Sequence, residues 1–358
     1  MDNYAMIMPD YSIGADVYSG IREFCTPYGR SAVIIGGHKA LMSAEDLIIK
    51  NCENVLDITG TVWYGGEASY ENVAALSENE KVINADMIFA VGGGKAIDTC
   101  KCLGDKTGKP VFTFPTIASN CACCTAVAIM YTPEGTFVEP YFFLKPPVHA
   151  FINTKVLADA PEKYLWAGMG DTYAKYYEAT ISAKNEITEH YTAFGIAMSK
   201  MCVDPVITYG KKALEDNRNK ISSYEFQQTV LAICITTGFV SIFLTRDHTP
   251  DYNSGLAHAV FYTLTSVGIE EDHLHGEVVA FGVLICLLVD GQLEEYKKIR
   301  SFNISTGLPV RLSDIGLTRE EFDALLESVT KMSDIKHYPY KVTAEMLSSA
   351  VDILEKEN

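Results

Sequence analysis

Short apolar runs bounded by glycine and proline alternate with amphipathic stretches over the first part of the chain. Residues 4–8 (YAMIM), 31–35 (SAVII), 55–58, 87–91, 110–114 and 148–152 read as strands. A segment running to about Lys50, Val73–Ala85 and the stretch through Leu103 carry the helical period. Val127–Tyr131 and Phe137–Leu144 form a predicted hairpin, turning at Thr132-Pro133-Glu134-Gly135. Strands alternating with helices predict a parallel, doubly wound sheet. After Pro161 the pattern changes to long amphipathic or wholly apolar segments, at 163–181, 189–202, 205–215, 223–244, 254–266, 276–290, 293–305, 318–332 and 343–355. The expected organisation is an α/β domain over residues 1–158 and an all-helical domain over 159–358, with the boundary near 155–162.

One stretch stands out within the first half, ADMIFAVGGGKAIDTCKCLGDKT from Ala85 to Thr107. The apolar residues Met87–Val91 end in Gly92, Gly93 and Gly94, and Lys95 opens a helix. Backbone N–H groups at such a helix start are free, glycine keeps Cβ atoms out of their way, and the helix dipole favours negative charge there. The pattern predicts a diphosphate site; a tight strand-to-helix turn without a ligand is the alternative. It is neither GxGxxG nor the Walker sequence.

Composition narrows the partners. The formal net charge of −17 opposes nucleic acid and anionic membranes, while local N–H groups and a lysine still suit an anionic cofactor. Ten cysteines without regular spacing, behind no N-terminal apolar segment, fit a reducing, cytoplasmic setting. The apolar run Val230–Leu244 contains Thr236, Thr237, Gly238 and Ser241 and is shorter than the roughly 20 residues a bilayer needs. A buried helix is expected there, and no membrane partner.

Three places in the helical half carry metal-type ligands in apolar or glycine-bounded surroundings. Asp171 follows Gly168-Met169-Gly170 and is expected to open a helix, His258 sits in GLAHAVF, and His275 lies in HLHGE before an apolar helix. Taken singly, each has a plainer reading: Asp171 as a helix cap, His258 as a core histidine, His275 as a cap. Together a carboxylate and two imidazoles suit a divalent ion with one position open to substrate.

These motifs resemble a family. GGGKAIDTCK at 92–101, FPTIAS at 114–119, GMGDTYAKYYEA at 168–179, GLAHAV at 255–260, HLHGEVVAFG at 273–282 and GGEASYEN at 65–72 are similar to the glycerol dehydrogenase branch of the iron-containing alcohol dehydrogenases. The resemblance implies that family's two-domain, dehydroquinate synthase-like fold and a metal-dependent, NAD(P)-linked exchange between a small alcohol and its carbonyl compound. It implies that Gly93, Gly94 and Lys95 cradle the cofactor diphosphate, with Asp98 in the same motif. Thr116, Ser119, Thr125, Val127 and Tyr131 match positions that line the nicotinamide nucleotide. Asp171, His258 and His275 match the metal ligands, which hold zinc in the glycerol dehydrogenases and iron in other members. No histidine lies between His275 and His337, where iron-type members carry a fourth, so zinc is favoured. Homo-oligomeric assembly is also expected by resemblance. A dehydroquinate synthase-like lyase and a non-catalytic relative are the rival classes.

Two departures from the family matter. Gly37 stands where NAD-using members carry an acidic residue that binds the adenosine ribose, and His38 and Lys39 follow it. Without that carboxylate a 2′-phosphate is not repelled, so NADP is expected to be accepted. Cys121 stands where glycerol dehydrogenases place an aspartate that bonds polyol hydroxyls. A thiol is a poor acceptor. The run Asn120–Thr125 is more like the hydroxycarboxylate dehydrogenases, which act on 2-oxo acids, and the Cys121, Cys123 and Cys124 cluster is expected to serve packing.

Overall fold

The computed structural model describes residues 4–357. It divides into two compact units, one running to Pro161 and taking in Asp216–Gln227, the other comprising Glu162–Glu215 and the chain from Gln228. The polar turn at 216–227 is joined to the first unit through Asn217, whose Nδ2 donates to the carbonyls of Ala158 and Ala160 at 2.8 and 3.2 Å.

The first unit is built on a six-stranded sheet. Its strands are β1 (Asp10–Gly14), β2 (Ser31–Gly36), β3 (Asp57–Trp63), β4 (Met87–Gly92), β5 (Val111–Pro115) and β8 (His149–Asn153). They lie in the order β1-β8-β5-β4-β2-β3, and every pairing is parallel. β4, β5 and β8 are buried along their whole length, so they read in sequence as continuous apolar runs rather than alternating ones. Phe89, Phe112, Phe114 and Phe151 fill one layer of the core, with the Phe114 and Phe151 rings stacked 4.9 Å apart. A separate antiparallel hairpin joins β6 (Val127–Tyr131) to β7 (Phe137–Phe142).

Two helices of this unit start at the carboxyl ends of adjacent strands. Helix α1 (His38–Cys52) leaves the end of β2, and α2 (Gly94–Thr107) leaves the end of β4. Although β2 and β4 pair with each other, the chain leaves β2 toward β3 on one side and β4 toward β5 on the other. Such a switch point opens a crevice beyond the strand ends, where nucleotides bind in this class of sheet.

The first strand is not at residues 4–8. It is Asp10–Gly14, paired with β8 from Asp10↔His149 to Gly14↔Asn153. An edge strand needs backbone complementarity on one side only, so DYSIG carries no apolar signature, whereas Ile7 in the apolar run is 40% exposed. Val73–Ala85 is also two helices, Tyr70–Ser77 and Glu80–Ile83, because the Asn79 side chain caps a new start by accepting from the Lys81 N–H.

The second unit is helical. Helix α3 (Glu162–Ser182), α4 (Leu256–Thr265) and α5 (His275–Val289) are the ones that concern the site. The expected break before Pro205 does not occur: His190–Arg218 is one helix with Pro205 inside it. Residues 318–332 instead form two short helices, Arg319–Asp323 and Leu326–Val329. Tyr224–Leu244 is continuous through a π-turn at Ala232–Thr236 and is, by length and composition, apolar enough to cross a bilayer. Its most apolar stretch is 67% buried, which suits a core helix.

Candidate functional site

The glycine stretch joins β4 to α2 in the first unit. β4 ends at Gly92 with φ +153°, Gly93 caps α2 in extended conformation, and no side chain satisfies the helix start. The glycines also let a neighbouring loop in. A Cβ on Gly93 would lie 2.6 Å from Ile117 and one on Gly94 would lie 2.7 Å from the Asn120 amide. The loop after β5 therefore packs over the glycine turn, and Thr116 N–H donates to the Gly92 carbonyl at 3.1 Å. Lys95 is half exposed, paired to Glu67 at 2.6 Å and held 5.2 Å over the Tyr131 ring. Thr116 and Ser119 lie on that loop, the first buried and the second partly so.

Asp98, on the first turns of α2, is buried. Its carboxylate is taken up inside the domain, paired to Lys101 at 2.7 Å and accepting the Ile129 N–H at 3.2 Å. Burial raises its pKa against the pull of Lys101. Thr125 is likewise buried, its hydroxyl engaged by Lys101 and by the Val127 carbonyl. Cys121 is half-buried, and Cys123 and Cys124 are buried with their sulfurs 3.8 Å apart.

At the crevice edge, Gly37 precedes α1 and no side chain caps that helix either. His38 is stacked on Trp63, with ring centroids 5.3 Å apart. A Cβ on Gly37 would meet the Tyr64 ring at 3.4 Å.

The second unit brings Asp171, His258 and His275 together from α3, α4 and α5. One ligand atom from each lies within 4.8 Å of the others. Asp171 Oδ1 is 3.4 Å from Nε2 of both histidines, and the two imidazole centroids are 5.3 Å apart. Asp171 is in the middle of its helix rather than at the start. Gly170 is a packing glycine there: a Cβ on it would lie 2.2 Å from the Gly276 carbonyl, and one on Gly276 would lie 2.0 Å from the Ala167 carbonyl. Gly282 makes the same allowance for the Ala257 carbonyl at 2.6 Å. Glycines thus let α3, α4 and α5 touch backbone to backbone, which short side-chain reach to a common point requires.

Two carboxylates that the sequence did not single out orient the ligands. Glu178, two turns beyond Asp171 and fully buried, accepts from His258 Nδ1 at 2.7 Å and from the His258 N–H at 2.9 Å. That leaves Nε2 directed at Asp171, the arrangement that fixes tautomer and ring in histidine metal ligands. Glu277 accepts the Leu274 N–H at 2.9 Å and pairs with His273 Nδ1 at 2.8 Å, anchoring the helix start on which His275 sits. His273 is therefore engaged away from the cluster. Lys175, also on α3, donates to the Asn253 carbonyl and to its side chain at 3.0 Å, tethering the loop before His258.

The electrostatics are those of a cation site. Burial works against charge on His258, but Glu178 and Asp171 push its pKa up to about 10. Burial raises Asp171 too, yet the two imidazoles hold it well below the usual carboxylate range. Asp171 thus stays ionised beside two imidazoles, and one carboxylate with two nitrogen donors fits a divalent ion.

A family model described as iron-containing alcohol dehydrogenase matches residues 9–149. A glycerol dehydrogenase from Thermotoga maritima is 31% identical over 332 residues, 86% of this chain and 87% of that protein. The chain belongs to the iron-containing alcohol dehydrogenase family. Hydroxycarboxylate dehydrogenase A of Escherichia coli K12 is 28% identical over 294 residues, covering 81% of this chain and 79% of its own. The crystal structure of the glycerol dehydrogenase from Schizosaccharomyces pombe superposes with a TM-score of 0.86 at 22% identity, over 99% of this chain and 91% of that one, and shares the fold. This iron-containing alcohol dehydrogenase relative is accordingly an enzyme, a nicotinamide-linked oxidoreductase acting on alcohol groups.

Proposed function

We propose that the chain interconverts a small alcohol and its carbonyl compound by hydride exchange with NAD(P), using one divalent ion, zinc rather than iron, held by Asp171, His258 and His275. The observation that carries the reading is the meeting of those three ligand atoms within 4.8 Å from helices far apart in sequence. Bound there, the ion would supply Lewis acidity that makes a substrate hydroxyl acidic near neutral pH. Asp171 contributes the negative charge, and Glu178 holds His258 with its Nε2 toward the cluster. His337, the next histidine after His275, pairs with Glu186 at 3.1 Å, which supports a three-ligand site.

In the first unit the uncapped start of α2 with Lys95 would hold a diphosphate. Gly37 offers no carboxylate to repel a 2′-phosphate, and His38 or Lys39, which follow it, could pair with one, so NADPH is read as the preferred cofactor. Cys121 in place of an acidic side chain favours a 2-oxo or 2-hydroxy acid over glycerol, since a thiol accepts poorly from hydroxyls and does not repel an acid as a carboxylate would.

Steady-state assays of zinc-loaded protein with glycerol, short diols and 2-oxo acids test each part. The expected result is a higher kcat/KM with NADPH than with NADH, and with 2-oxo acids than with glycerol. Activity should vanish on chelation and in Asp171→Ala, and return to the chelated wild type with zinc. Undiminished turnover after chelation would overturn the metal role, a strong NADH preference the 2′-phosphate site, and a glycerol preference the substrate assignment.

A further inference from the structure

Asp98 and Lys101 on α2 are 7% and 4% exposed and paired at 2.7 Å. A buried ion pair is weak evidence for stability, because desolvation offsets much of the attraction. Here each partner also reaches another element. Lys101 Nζ donates to the Ala122 carbonyl at 3.0 Å, the Thr125 hydroxyl at 3.0 Å and the Val127 carbonyl at 2.5 Å. Asp98 Oδ2 accepts the Ile129 N–H at 3.2 Å.

β6 belongs to a two-stranded sheet with β7. Along an antiparallel strand the backbone groups of alternate residues face opposite sides. The Val127 carbonyl and the Ile129 N–H share one edge of β6, and the Tyr131 N–H, in the same phase, donates to the Ala68 carbonyl at 2.8 Å. The ion pair thus stands where a neighbouring strand would be.

We propose that Asp98 and Lys101 are positioning residues for the dinucleotide, fixing segment 122–131 against the helix whose start takes the diphosphate and so setting where the nicotinamide half lies. The inference rests on the proposed cofactor site, since Gly93, Gly94 and Lys95 are on the helix side and Thr125, Val127 and Tyr131 on the tethered side. Neither charged side chain need touch the ligand. Loss of the pair should spare the phosphate end and loosen the other.

The test compares the affinities of ADP-ribose and NADPH for the full-length protein, as wild type, Lys101→Met and the double variant Asp98→Asn/Lys101→Met. ADP-ribose affinity is expected to stay within about twofold while NADPH weakens about tenfold or more, with KM for the dinucleotide rising more than kcat falls. The double variant leaves no buried charge unpaired and covers the case in which Lys101→Met does not fold. A folded variant that binds both ligands as wild type does, or loses both equally, overturns the proposal. Failure of both variants to fold also overturns it, making the pair a requirement of the fold alone. Wild-type protein that binds neither ligand would sink the cofactor site itself.

Discussion

At the scale of single residues, the ligands were legible because their chemical types are uncommon in apolar helices. Their supports were not. Glu178 is an ordinary glutamate in sequence, and its importance appears when two helical turns bring it level with His258. Glu178→Gln keeps the size and one acceptor but removes the charge that aligns and enriches the imidazole. Zinc affinity measured by chelator competition should fall by about 10- to 100-fold; an unchanged affinity would make Glu178 a packing residue. His149 offers a second residue-scale prediction. It bonds Ser12 at 2.9 Å and stacks on Phe24 at 4.1 Å, and burial, only partly opposed by Asp10, brings its pKa down from 6.5 to about 4. Between those values the unfolded chain takes a proton that the folded protein refuses, so stability falls as pH falls through the window. The Tm loss on acidification from about pH 7 to about pH 5 should be smaller in His149→Gln, which has no such proton to take up. An equal loss in both proteins would place the acid sensitivity elsewhere.

At the scale of elements, buried strands announced themselves and contacts between elements did not. Met87–Val91 reads as a strand because both its faces are covered, whereas Asp10–Gly14 pairs along one edge and has no apolar pattern to show. Pro205 looked like a helix end because local propensity says so, but packing carried the helix past it. The glycines around Asp171 suggested a helix start and are instead the places where helices meet. Gly276→Ala puts a methyl group 2.0 Å from the Ala167 carbonyl, and backbone cannot swing aside as a flexible side chain can. The substitution should push α5 from α3, destabilise the protein by about 1–3 kcal/mol in denaturant unfolding and weaken zinc binding with it. Wild-type stability in Gly276→Ala would mean that the helices do not approach so closely.

At the scale of the whole chain, each proposed ligand set is confined to one unit. Asp171, His258 and His275 all belong to the helical unit, and Gly93–Lys95 with Thr116–Tyr131 all belong to the sheet unit. A ligand that binds only the folded state stabilises what it binds, and amide exchange reads that stabilisation segment by segment. Zinc should therefore slow exchange along Glu162–Ser182, Leu256–Thr265 and His275–Val289, since it ties three helices through one point. ADP-ribose should slow exchange over Gly94–Thr107 and the loop after β5. The sequence changes texture near Pro161, whereas the return of Asp216–Gln227 to the sheet unit rests on side-chain bonds such as those of Asn217 and has no compositional trace. Deuterium uptake after adding each ligand alone separates the two effects. Protection by zinc that is strongest over Gly94–Thr107, or absent from the three helices, would show that the ion is not held where Asp171, His258 and His275 converge.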